Sequence, residues 1–164
     1  MPARYRRSYA TSRRPRRELA WARFSFTDNA RATGTHNTFD LLSGYRGLGG
    51  STQGATVMAV HIQGSYAAAS TGGNALIGIG VTHLSDITPD LPNTAEAGAD
   101  WMLLRAIFPQ SAGATVDAAT PWEVHLKSRR KCHQIQQTLF LTWTPTDTGT
   151  SSLNFVGAAL LALG

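Results

Sequence analysis

At 164 residues the chain fits one domain with an extension, because a single hydrophobic core commonly fills about 100–200 residues. Hydrophobic residues make up 42% of it and charged residues only 15%, well under the usual quarter, so its surface is either unusually neutral or covered by partners. The net charge of +5 is unevenly placed: residues 1–17 hold seven arginines with no acid and no lysine, while the rest holds eight Lys or Arg against ten Asp or Glu, a balance of −2.

That imbalance argues against a body that binds polyanions over its whole surface, which would spread its cations, and puts the positive charge on a tether. The single cysteine, Cys132, excludes an intrachain disulfide and a metal site built on several thiolates. The N-terminus lacks the apolar core of a secretory signal, and the longest apolar stretch, Leu153 to Leu163, is too short to span a bilayer, so no membrane partner is expected.

In chain order, residues 1–18 come first. They show no apolar periodicity and contain Pro2 and Pro15, and they cannot bury enough surface to offset the cost of ordering, so they read as a disordered arm. A single β-domain over 19–164 follows. Its first run, 19–27, is aromatic-bearing and suits a strand.

Residues 38–42 form a weaker strand candidate, and the glycine-rich stretch 44–54 reads as a loop. Residues 56–66 alternate, with Met58, Val60 and Ile62 on one face and His61 and Gln63 on the other. Residues 74–84 repeat the pattern with Ile77, Ile79 and Val81, and Gly78 and Gly80 on the opposite face suggest a close approach to the backbone. Strands are expected again at 101–108, 121–127, 138–144 and 154–163, although the last is helix-friendly by propensity. Eight short strands without a sustained helical period favour an antiparallel sandwich or barrel.

Catalytic signatures are missing from this pattern. The sequence holds no GxSxG, HExxH, GxxxxGK[ST] or paired-Cys motif, so no enzyme activity, cofactor or metal is expected. Gly47 to Thr52 could cradle phosphate only weakly, since it lacks the P-loop lysine. The five histidines, His36, His61, His83, His125 and His133, fall on different expected elements without ligand-like spacing. Of these, His125 and His133 with Cys132 come closest to a metal cluster. Asp86 and Asp90 share a loop and could donate oxygens to a divalent cation between subunits, but two carboxylates do not make a site and turn chemistry explains them. Trp101 and Trp122 read as core or interface anchors.

The basic runs carry the functional signal. Arg4, Arg6, Arg7, Arg13, Arg14, Arg16 and Arg17 are permanently charged and fork two donors toward phosphate, and Tyr5 and Tyr9 between them can stack on unpaired bases. A transit peptide is the competing reading of such a start, but no Leu, Ile, Val or Phe precedes Leu19 to form an apolar face. A second cluster, Lys127, Arg129, Arg130 and Lys131, follows the alternating run Trp122 to Leu126 and reads as either a phosphate contact or a solvated turn. Nuclear import suits either run by composition.

An arginine-rich arm from Arg4 to Arg17 running into a first strand at Leu19, then about eight strands with no enzyme motif, resembles the small icosahedral virus capsid proteins of the single jelly-roll type. The stretch Trp122 to Lys131 is similar to a basic run in capsid sequences of small single-stranded DNA viruses. The resemblance implies an eight-stranded antiparallel jelly-roll sandwich that assembles in many copies into a closed shell. It implies too that the arm packages a single-stranded nucleic-acid genome, and that the protein resides in the virion after a passage through the host nucleus. The chain is short for that family, so modest loops and no projecting domain are expected. A non-viral nucleic-acid-binding module, such as an OB-like barrel or an organellar RNA-binding protein, is the alternative.

Overall fold

The structure, a computed structural model, describes residues 17–68, 73–82, 99–109, 119–132, 139–146 and 149–164. Eight strands and one short helix make up these residues: β1 (Leu19–Ala32), β2 (Asn37–Asp40), α1 (Ser43–Gly47), β3 (Thr56–Ala67), β4 (Ala75–Thr82), β5 (Ala99–Ile107), β6 (Thr120–Lys131), β7 (Leu139–Pro145) and β8 (Thr150–Ala162). They form two four-stranded antiparallel sheets, ordered β1-β8-β3-β6 and β2-β7-β4-β5. β1 pairs with β8, β2 with β7, β3 with β6 and β4 with β5, so the chain is wound as a rolled hairpin of hairpins: the jelly roll. A five-stranded OB-like barrel is a different arrangement.

All eight expected strands are present. β1 and β6 run about four or five residues further than alternation alone suggests. Alternate residues of each strand supply the core between the sheets: Ala22, Phe24, Val60, Ile62, Trp122, Val124, Leu153, Phe155 and Leu161 from the first, Ile77, Ile79, Val81, Leu139, Leu141 and Trp143 from the second. Each large side chain so buried contributes about 1.5–3 kcal/mol. Phe26, Phe39 and Phe155 form an aromatic cluster at one end, with ring centroids 5.0–5.5 Å apart.

Three local features differ from or refine the sequence expectation. The stretch 44–54 is not all loop, because α1 occupies its start. Asp40 organises that turn: its carboxylate accepts from the Leu42 amide at 3.0 Å and meets the Arg46 guanidinium, and its carbonyl accepts from Ser43 Oγ at 2.9 Å. The helix-friendly 154–163 is strand, because β8 is hydrogen-bonded on both sides, to β1 and to β3, and that pairing outweighs propensity. Gly78 and Gly80 do lie where neighbours press on the backbone. The Trp101 ring covers Gly78, and a Cβ on Gly80 would stand 2.6 Å from the Asp100 carbonyl oxygen.

The two sheets are tied by a buried carboxylate. Asp28, at an irregularity in β1, accepts from Trp143 Nε1 at 2.8 Å, Asn37 Nδ2 at 2.9 Å and the Arg31 guanidinium at 3.0 Å, and so links β1 of one sheet to β2 and β7 of the other. Burial by itself would raise the Asp28 pKa. The hydrogen bonds from Arg31, Asn37 and Trp143, with the Arg31 charge, outweigh it and hold the carboxyl below its ordinary value.

Candidate nucleic-acid interface

Alternation along the strands of the first sheet sends one set of side chains inward and the other to an outer face. On β1 the inward set is Ala22, Phe24 and Asp28, leaving Leu19, Trp21, Arg23 and Ser25 outside. On β6 it is Thr120, Trp122 and Val124, leaving Glu123, His125, Lys127, Arg129 and Lys131 outside. The register then fixes which residues share a row, and in the first such row Ala162 and Thr56 are buried between exposed ends. Leu19 pairs with Ala162, Ala162 with Thr56, and Thr56 with Lys131. One row further, Trp21, Leu160, Ala59 and Lys127 line up, and beyond it Arg23, Ala158, His61 and His125.

These rows bring the strand that follows Arg17 onto the same sheet as Lys127, a residue 110 positions further along the sequence. Arg17 is exposed two residues before Leu19, at the same end of the sheet as Lys131. Across three strand spacings β1 and β6 stand about 14 Å apart. Arg4, Tyr5, Arg6, Arg7, Tyr9, Arg13, Arg14 and Arg16 lie outside the described residues, as do His83, Asp86, Asp90 and His133; the described chain begins at Arg17.

The second basic cluster is not a turn: β6 continues through Lys131. Its members divide by side. Ser128 and Arg130 turn toward β5 of the other sheet, where Ser128 Oγ approaches the Met102 sulfur at 3.2 Å and Arg130 Nη1 meets Asp100 Oδ2 at 3.0 Å. Arg130 thereby fastens one sheet edge to the other. Lys127, Arg129 and Lys131 face outward, exposed and without a hydrogen-bonded or acidic partner among the described residues.

The remaining cations sort the same way. Arg31 and Arg46 are engaged by Asp28 and Asp40, and Arg105 Nη1 donates to the Glu123 carbonyl at 2.9 Å. Arg17 and Arg23 are left, both exposed. The described cations lacking a partner among the described residues are therefore Arg17, Arg23, Lys127, Arg129 and Lys131. All five belong to the outer face of the first sheet or to the residues leading into it. Beside Arg23 on that face, Trp21 is 59% exposed and offers a flat aromatic surface.

Sequence reasoning overlooked Trp21 and Arg23 as interface residues, although the signal was there: with Ala22 and Phe24 in the core, alternation puts their neighbours outside. It also separated histidines that the fold brings together. His61 and His125 are directly opposed on β3 and β6, with rings stacked at 3.9 Å and 16°. Both Nε2 atoms lie 2.9 Å from Glu123 Oε1, which also accepts from Gln63 Nε2 at 2.9 Å. Hydrogen bonds from Gln63, then His61 and His125, hold the Glu123 carboxyl down at about 2.

Cys132, once grouped with His125, points the other way. It is fully buried in the core, and burial raises its thiol pKa against the opposing pull of the Arg46 charge.

No protein-family model and no curated protein sequence matches the chain. Among solved structures it is similar to latent PorU of Porphyromonas gingivalis, with TM-score 0.43 and 10% identity over 87% of this chain and 13% of that one. It is similar also to Desmodium yellow mottle tymovirus, with TM-score 0.39 and 12% identity over 90% of this chain and 82% of that one. For the VP2 subviral particle of infectious bursal disease virus the TM-score is 0.33 and the identity 9%, over 88% of this chain and 32% of that one.

Proposed function

We propose that the chain is a shell-forming structural protein, a capsid subunit, that packages nucleic acid without reading its sequence. The observation that carries this reading is the shared end of one sheet: Leu19, two residues after the arginine-rich segment ends at Arg17, and Lys131 stand at opposite edges of the same strand row, on a face whose lysines and arginines have no partner among the described residues. Phosphate held by the arm would lie against Lys127, Arg129 and Lys131, with Trp21 beside Arg23 to stack an unpaired base. Neutralisation by arginine and lysine releases counterions and needs no base contacts.

The rest of the body suits an assembly unit. Its two sheets close on one apolar interior filled by side chains. Tethering multiplies the effect, since many arms facing one enclosed volume bind one polymer together far more tightly than any arm alone. The genome is a single strand in this reading, the virion its residence, and the basic runs serve nuclear import beforehand.

Electron microscopy of the purified full-length chain tests the shell: closed particles of uniform size are expected, and a monodisperse monomer at every salt concentration, with or without nucleic acid, would refute it. Deleting residues 1–17 tests the arm. Particles whose ratio of nucleic-acid to protein absorbance is unchanged by that deletion would remove the packaging role.

A further inference from the structure

We propose that His61, His125 and Glu123 form a three-ligand site for a divalent transition-metal ion of the zinc class, on the outer face of the first sheet. The three donors come from two paired strands. His61 and His125 are a directly opposed cross-strand pair, and Glu123 lies two residues before His125 on the same face. One ligand atom from each lies within 4.8 Å of the others.

The arrangement is more than proximity. Both imidazoles aim Nε2 at a single carboxylate oxygen, and with the Gln63 amide three donors crowd that one atom. One dication between the two nitrogens and the oxygen replaces that crowding, each imidazole carrying its proton on Nδ1 instead. An ion about 2.1 Å from each ligand atom, with ligands at right angles, sets those atoms about 3.0 Å apart. The two His–Glu separations of 2.9 Å are hydrogen-bond contacts of the metal-free site, and a rotation of the stacked imidazoles turns both nitrogens onto one ion. Two imidazoles and one carboxylate leave the remaining positions of such an ion open to water.

The donor set selects the ion. Imidazole nitrogen suits zinc, cobalt, nickel and copper, whereas calcium and magnesium demand oxygen cages. Gln63 Nε2 orients the carboxylate from β3, the kind of outer partner whose loss costs about 10–100-fold in metal affinity. Placement on two hydrogen-bonded strands fixes the ligands before metal arrives. Lys127, the next outward residue of β6, and Arg23, beyond Ala158 in the same row, oppose the added charge, and the Arg105 guanidinium is spent on the Glu123 carbonyl.

The test uses the full-length chain, stripped with a chelator and titrated calorimetrically with Zn2+. Co2+ titration followed by visible absorption runs in parallel. One ion per chain is expected, together with a Co2+ band. His61→Ala, His125→Ala and Glu123→Gln should each weaken binding at least tenfold, Gln63→Ala by about tenfold, and His36→Ala not at all. These side chains are solvent-facing or half-buried on a paired sheet, and circular dichroism verifies that each variant remains folded. Absence of stoichiometric binding, or Zn2+ binding that survives His61→Ala and His125→Ala unchanged, overturns the site. Neither outcome depends on whether the chain forms a shell.

Discussion

The indole of Trp143 on β7 donates a 2.8 Å hydrogen bond to the carboxylate of Asp28 on β1, across the gap between the two sheets. This bond does what apolar packing alone does not: it fixes the offset of one sheet against the other at the end where β1 bends. Replacing Asp28 with Ala leaves the buried Trp143 donor and the half-buried Asn37 donor without this acceptor and frees Arg31. Stability should fall by about 3 kcal/mol, read as a loss in urea or thermal unfolding.

The same carboxylate predicts an acid limb. Its pKa is lower folded than unfolded, so its contribution is fully present above the ordinary carboxylate value of about 3.9 and is lost as pH falls through the native value. Asp28→Asn, which carries no titrating group there, should show a shallower decline of unfolding free energy below about pH 4 than the parent chain. Equal slopes would refute the assignment.

Glu123 offers a direct titration. Carbon-detected magnetic resonance of its side-chain carboxyl in the metal-free chain should give a midpoint at about 2, and Gln63→Ala should move it upward toward the ordinary 4.5. An unmoved midpoint would mean that the amide does not hold the carboxylate.

Salt dependence separates the outward cations from the paired one. With a fluorescent oligonucleotide, Lys127→Gln and Lys131→Gln should each lower the magnitude of the slope of log affinity against log salt by about 1. Arg130→Gln should change it far less, because that side chain is spent on Asp100. Trp21→Ala should weaken single-strand binding by about 1–3 kcal/mol while leaving the slope intact.

Glycines on the paired strands divide by the space around them. A Cβ on Gly64 would stand 2.5 Å from the Asn154 carbonyl oxygen and 2.6 Å from the Trp122 ring, so Gly64→Ala should cost about 1–3 kcal/mol. Gly47, in α1 with nothing within 4 Å, should tolerate Ala or gain about 0.5–1 kcal/mol. Thermal unfolding of the two variants side by side checks the contrast.

Strand positions were legible because alternation is local: Val60, Ile62, Val124 and Trp122 declare their faces within a few residues. The jelly-roll winding came from resemblance, and the pairing of β1 with β8 bears it out. What remained hidden depends on register between distant strands. His61 and Glu123 are 62 residues apart, and nothing near either says that β3 and β6 align them. Arg130 looked like its neighbours in the basic run, yet one step along an alternating strand turns it toward Asp100. The turn of α1 was obscured because glycine-rich composition suggests a loop, while the hydrogen bonds of Asp40 are specific to that residue.

β6 has a second consequence, for solubility. Among the described residues it is the terminal strand of its sheet, so apart from the Glu123 carbonyl, which Arg105 holds, it presents backbone N–H and C=O groups to which another chain could add a strand. Its outward Lys127, Arg129 and Lys131, with the register irregularity opposite Val57 and Ala59, are the devices that make such addition unfavourable. Neutralising those charges to weaken nucleic-acid binding therefore also unlocks an edge, and the altered protein should form disordered aggregates by strand addition even where its fold is intact.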